Sequence, residues 1–176
     1  MAAFNVHDYI NVEEFSLPQA VSCHILQIAN IAESREKSLE EWKYYDNPNT
    51  APFERMEHVG RPVIYGIDLD ATENEPRPQS PGTYKLLLDD GHGHQFYAFE
   101  MEELPFLHPR EKATSNPLPV PLGGRLVLQK GTTVCDGMVL LRKHQCQYLG
   151  VDTSTGLAKE LNAGVVKKYI QIMERS

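Results

Sequence analysis

The sequence predicts a mainly-β fold: a small, about five-stranded Greek-key barrel with a long insertion after its first strand and a helix at its C-terminus. Three observations lead there. Short apolar stretches with period-two alternation, separated by Gly, Pro and Asp, fill the second half of the chain. Their number falls below the roughly seven strands of a sandwich. The last residues carry one apolar stripe of helical period. The 176 residues fit one domain with a sizeable core, so residues 1–176 are read as a single unit.

Residues 1–19 form a lead-in. Tyr9, Ile10, Val12 and Phe15 are too irregular for more than a turn or two of helix, and Pro18 closes the segment. Over residues 20–31, Val21, Cys23 and Ile25 alternate and are followed by Ile28 and Ile31, a first strand whose broken spacing near Gln27 marks a bulge. Residues 32–82 are then polar, far longer than the usual connection of about 4–6 residues, which makes them functional or disordered. Within them 34–45 has a charged, helix-permissive composition. Residues 62–69 are apolar and β-branched enough for an extra strand, and 73–82 are rich in Pro and acid.

From Tyr84 the pattern is regular: Tyr84, Leu86 and Leu88 alternate against Lys85 and Leu87, Asp90-Gly91-His92-Gly93 makes a turn, and residues 96–101 return. Five prolines within 105–121 exclude a helix interior or central strand and predict an irregular connection across the barrel. Strands follow at Leu126–Leu128, at 138–141 after an Asp136-Gly137 turn, and at 146–149. Leu157, Leu161, Val165, Tyr169 and Ile172 then place one stripe on a single helix over 155–174.

Composition narrows the function. The net charge is -7, and only the part from Arg125 onward is basic, with eight Lys or Arg against four Asp or Glu. A chain that draws affinity from neutralising phosphates needs the opposite balance, so DNA contact is expected to be weak or indirect. No run approaches the roughly 18–20 apolar residues of a membrane span, and the start has no signal-peptide pattern. Three cysteines with no Cys-x-x-Cys spacing give neither a disulfide framework nor a zinc half-site, which fits cytosol or nucleus.

The candidate binding residues lie in the insertion: Trp42, Tyr44, Tyr45, Phe53, Arg61 and Tyr65 set large groups in a segment otherwise built for water. Val63, Ile64 and Ile67 read as local core, with Trp42, Tyr44 and Tyr45 as the better interface anchors. Eleven acidic against six basic residues suit a basic partner surface. A rival reading stacks single-stranded nucleic acid on Tyr84, Phe96, Tyr97, Phe99 or Tyr148, although alternation sends about half of these inward. Arg142, Lys143 and His144 form one compact basic cluster, a solvated turn or a weak nucleic-acid contact. His92 and His94 lack a third partner for a metal, and Asp89-Asp90 borders a turn that favours Asp for backbone reasons. There is no phosphate loop, nucleophile elbow or His-Glu metal helix. The expectation is a non-enzyme without cofactor or metal.

Taken in order, Ile25-Leu26-Gln27-Ile28, the long insertion, Tyr84-Lys85-Leu86-Leu87-Leu88-Asp89-Asp90-Gly91, Phe96-Tyr97-Ala98-Phe99-Glu100, Gly124-Arg125-Leu126-Val127-Leu128, Asp136-Gly137-Met138-Val139-Leu140-Leu141 and Gln147-Tyr148-Leu149-Gly150 resemble the barrel of the RecQ-mediated genome instability protein 1 family. The resemblance spans residues 17–161. It implies an oligonucleotide/oligosaccharide-binding (OB) fold used to hold proteins, with topoisomerase III as direct partner and a RecQ-type helicase reached through the complex. It also implies that the insertion modulates the topoisomerase gate during decatenation and double Holliday junction dissolution, in DNA repair and recombination in the nucleus. Members of that family usually open with a small helical bundle, whereas residues 1–19 alone precede the first strand here. The alternatives are a single-stranded-DNA-binding OB fold and an OB-fold adaptor of another complex, such as the Tudor-domain partner of topoisomerase III. The acidic balance argues against the first, and the end of the sequence at Ser176 against the second.

Overall fold

A computed structural model of the chain describes residues 4–5, 12–46, 82–111, 114, 116–152 and 156–175. Among them the elements are β1 (Phe15–Ser16), β2 (Val21–Asn30), α1 (Arg35–Asp46), β3 (Tyr84–Asp89), β4 (Gln95–Glu100), a short 3-10 turn (Pro105–Leu107), β5 (Gly124–Leu128), β6 (Thr133–Cys135), β7 (Met138–Leu141), β8 (Cys146–Val151), α2 (Leu157–Asn162) and α3 (Val165–Arg175). The eight strands form one curled sheet in the order β1-β6-β7-β4-β3-β2-β5-β8. The expectation of five strands is corrected to eight. The two residues of β1 and three of β6 are too short to show a period in sequence, and they come into being only by pairing, Phe15 with Val134 and Ser16 with Thr133.

The ten-residue β2 is the shared wall. Its first part, Val21 to His24, pairs antiparallel with β5, and its later part, His24 to Asn30, pairs antiparallel with β3. The register shifts between Ile25 and Gln27, so the bulge foreseen near Gln27 is present. Its effect is to return Ile28 to the interior after the extra residue Leu26: Val21, Cys23, Ile25 and Ile28 are all buried. β3 and β4 make the expected hairpin, and the Pro-rich connection carries the chain to the other side of β2, where β5 pairs. β6 and β7 then form a hairpin through Asp136 and Gly137, both at positive φ (51° and 79°), and β7 lies parallel to β4. β8 comes back to β5. One cluster of buried side chains fills the interior, among them Ile25, Ile28, Leu86, Leu88, Leu126, Leu128, Val134 and Leu141.

Two further expectations change. In the described part of the lead-in no helical turn forms; Phe15–Ser16 is a short strand, and the segment reaches the core, where Phe4 is buried and meets Phe96 edge-on at 4.7 Å. The C-terminal helix is two helices. Gly164, at φ 62°, breaks the run between α2 and α3, because a left-handed residue cannot continue a right-handed helix. Ile172, at the end of the expected stripe, is 42% exposed.

Asp90 fixes the β3–β4 turn. Its Oδ1 accepts the backbone N–H groups of His92 (2.8 Å) and His94 (3.1 Å), and its Oδ2 accepts that of Phe4 (2.8 Å) and lies 2.8 Å from His94 Nδ1. Burial alone would raise the carboxyl, but the His94 ring and the three N–H donors outweigh it and hold the pKa at about 2, below its usual 3.8. Because the folded state lowers this pKa, the stabilisation is complete above pH 4 and is lost as pH falls toward 2. Asp90→Asn therefore lowers the melting temperature at pH 7, and its gap from wild type narrows between pH 4 and 2. Thermal melts of both proteins across that range check this.

Candidate protein-binding site

The insertion leaves the sheet at the end of β2 and returns at the start of β3, and a backbone clamp holds its two ends together. Ile31 N donates to Thr83 O (2.7 Å), while Asn30 Oδ1 accepts from both Ala32 N (3.0 Å) and Thr83 N (3.2 Å). A Cβ on Gly82 would stand 2.8 Å from the Asn30 side-chain nitrogen, so a larger residue there would have to displace the amide that forms the clamp. Behind the clamp, buried Glu100 accepts Tyr84 N (3.1 Å) and Leu104 N (2.8 Å), with His108 Nε2 at 2.7 Å. The same carboxylate thus secures the first residue of β3 and the Pro-rich connection. A cavity of about 120 Å³ beside it, lined by Thr83, Glu100 and His108 among others, is well below the roughly 300–1,000 Å³ of small-molecule sites.

After the clamp the chain enters α1, the helix that 34–45 predicts. Ser34 caps it: its Oγ accepts Lys37 N at 3.1 Å, satisfying one of the free N–H groups of the first turn. Nearly all of α1 is polar, and among its residues only Trp42 is buried. The indole stacks on Tyr169 of α3 with ring centroids 4.3 Å apart and planes inclined by 20°. The Tyr169 hydroxyl accepts the backbone N–H of Ile28 at 2.8 Å, and burial pushes its pKa well up, keeping it protonated. Lys43 and Glu174 add an ion pair at 3.1 Å, but both side chains are half exposed, so it contributes about 0–1 kcal/mol. The aromatic stack holds the root of the insertion on the barrel.

The expected site residues therefore separate. Trp42, expected as an exposed anchor, is a core residue at 5% exposure: an indole on an otherwise polar helix is spent on the nearest apolar surface, which α3 supplies. Tyr44 is half-buried and meets Tyr45 edge-on at 5.7 Å, and Tyr45 is 37% exposed, so this pair marks the outer side of the root. Phe53, Arg61 and Tyr65, with the extra strand at 62–69 and Val63, Ile64 and Ile67, lie outside the described residues. Arg142 and Lys143 are exposed in the turn between β7 and β8, away from the clamp in the chain, and Lys143 N donates weakly to Glu102 Oε1 at 3.4 Å. Of the aromatics considered for base stacking, Phe96 is buried and Tyr148 stacks on Phe106 at 4.6 Å. Only Tyr97 is substantially exposed, at 45%. Burial pushes the Cys23 thiol up and that of Cys146 to about 11, so neither is a ready nucleophile.

The clamp residues Asn30 and Gly82 and the anchor Tyr169 were missed in the sequence. Asn at a strand end before a long polar segment and Gly where it returns are the available signal, and Tyr169 shows in the sequence only as one position of a helix stripe.

The long β2 split between two partners, a hairpin on one side, a crossing connection and the parallel β4–β7 pair make up the curled half-barrel. The family model for the RMI1 N-terminal OB-fold domain matches residues 5–162, nearly the whole chain. The chain belongs to the RMI1 family. No curated protein matches it. RMI1 membership makes it an OB-fold scaffold domain of the kind associated with RecQ complexes and genome stability, and not a member of a known enzyme family.

Trp42 is the single tryptophan, so its fluorescence reports the docked root. Tyr169→Phe keeps the stack but leaves Ile28 N–H without its acceptor, and is expected to cost about 1–3 kcal/mol in denaturant unfolding with native emission unchanged. Tyr169→Ala removes the stacking surface, and native emission shifts to the red.

Proposed function

We propose that this RMI1-family chain binds topoisomerase III and, through it, a RecQ-type helicase, in the nucleus, and that its insertion regulates opening of the topoisomerase gate during decatenation and dissolution of recombination intermediates. The observation that carries this reading is the root of the insertion: both ends are clamped at Asn30 and Thr83, and α1 is stacked on α3 through Trp42 and Tyr169. A segment that must prop or restrain a moving gate has to transmit force to the scaffold that carries it, and a root tied by backbone hydrogen bonds and a buried aromatic stack provides that. The part of the insertion beyond α1 is the contacting element, with Phe53, Arg61 and Tyr65 as its contact residues and Tyr45 at its base. The chain acts without chemistry of its own. Its net charge of -7 leaves DNA handling to its partners.

Replacement of residues 47–81 by a Gly-Ser linker leaves clamp, α1 and barrel in place. In a decatenation assay with purified topoisomerase III, wild type is expected to change strand-passage activity, and the linker variant to return it to the level of the enzyme alone. No effect of wild type on binding or decatenation would overturn the reading.

A further inference from the structure

The outward face of β3, β4 and β7 is built of the wrong residues for a solvated surface. In an open or partly closed antiparallel sheet the core side is apolar and the water side polar. Here the register sets two rows on the water side. Met138, Tyr97 and Leu87 stand in line across β7, β4 and β3, and Leu140, Phe99 and Lys85 form the next row. Tyr97 is 45% exposed and Met138 38%, while Leu87, Phe99 and Leu140 are half-buried, and none of the five belongs to the core cluster. Their inward neighbours Leu86, Leu88, Phe96, Ala98, Val139 and Leu141 are fully buried, so the core is complete without them. A contiguous apolar patch rich in Met and aromatic residues has the composition of an interface centre.

One charge sits inside this patch. Lys85 Nζ lies 4.5 Å from the centroid of the Tyr97 ring, and among the described residues no carboxylate pairs with it. A cation held over an aromatic ring at the edge of an apolar surface gains most from a carboxylate delivered by whatever covers that surface. Single-stranded nucleic acid fits less well: one cation is available on the face, with Asp89 on the same side of β3, against the several that a phosphate backbone needs.

We propose that the outer face of β3, β4 and β7 docks a protein segment in which apolar side chains flank a carboxylate, the apolar groups covering Leu87, Tyr97, Phe99, Met138 and Leu140 and the carboxylate meeting Lys85. This surface is separate from the part of the insertion assigned to gate regulation and does not depend on that assignment.

The probe is a strand-length, fluorescein-labelled peptide of alternating Leu and Glu, titrated into the full chain, with an alternating Leu/Lys peptide and oligo-dT beside it. Tyr97 and Met138 are exposed, so the double variant Tyr97→Ser, Met138→Ser is expected to melt as wild type does. The Leu/Glu peptide binds, shifts the Met138 methyl resonance, and binds at least about tenfold more tightly than the Leu/Lys peptide. The double variant weakens it about tenfold, Lys85→Glu reverses the preference between the two peptides, and the chain with residues 47–81 replaced by linker still binds. Absence of binding, equal affinity for both peptides, indifference to the double variant, competition by oligo-dT, or a dimer in sedimentation equilibrium that the double variant dissociates would each overturn the proposal. Failure of gate regulation with peptide binding intact would touch only the function assigned to the insertion.

Discussion

The structure depends on how β2 satisfies its two edges. Only His24 pairs on both sides; before it the partner is β5, and after it β3. From Ile25 onward one edge of β2 therefore has no strand beside it, and buried N–H and C=O groups there need partners. Gly123 N supplies one, donating to Ile25 O at 2.8 Å, and the Tyr169 hydroxyl supplies another by accepting Ile28 N–H. Helix α3 is required because β2 outruns β5. With the edge covered in this way the sheet can curl around a single interior, and β2 can be ten residues long without exposing a template for pairing with another chain.

That solution also sets the position of the insertion's root. The residue that accepts from β2 is the one on which Trp42 stacks, so the covered edge of β2 and the insertion root share Tyr169. The Asn30 clamp adds a second tie at the point where the chain leaves and re-enters the sheet. An insertion attached only by its two ends would swing about the neck. Held also through α1, which stacks on α3, the root is tied to the barrel at two places.

Much of this was legible. The bulge showed as a break in alternation near Gln27, because a strand that must keep Ile28 inside has to insert a residue to do so. The turns at residues 90–93 and at Asp136-Gly137 showed because their backbones demand those residue types, and the ordered strand pattern carried the family. The misses have a common cause: each depends on a partner distant in sequence. Trp42 sits on a helix with no apolar stripe of its own, so nothing local says that it is buried, and its aromatic surface in a polar segment reads as an interface anchor. β1 exists only because β6 is beside it. The division of the terminal helix at Gly164 was the exception, since a glycine within the periodic run was in plain view and the regular stripe on either side outweighed it.

The run Leu86-Leu87-Leu88 puts a leucine on the outward side of β3, which bears on function. Alternation assigns Leu86 and Leu88 inward and requires Leu87 to face water, where a Thr or Lys would serve the barrel equally well. The cost of keeping Leu87, Phe99 and Leu140 in one outward patch falls on solubility and brings the interior nothing, so the patch is explained by what covers it. Lys85, in that patch, follows Thr83 of the insertion clamp by two residues and pairs through Phe99 on one side and Ala29 on the other. The first residues of β3 thus belong both to the neck and to the outer face. A segment seated on Lys85 would stiffen the same strand end that Asn30 holds, so occupation of the face and the setting of the insertion root are mechanically connected through β3.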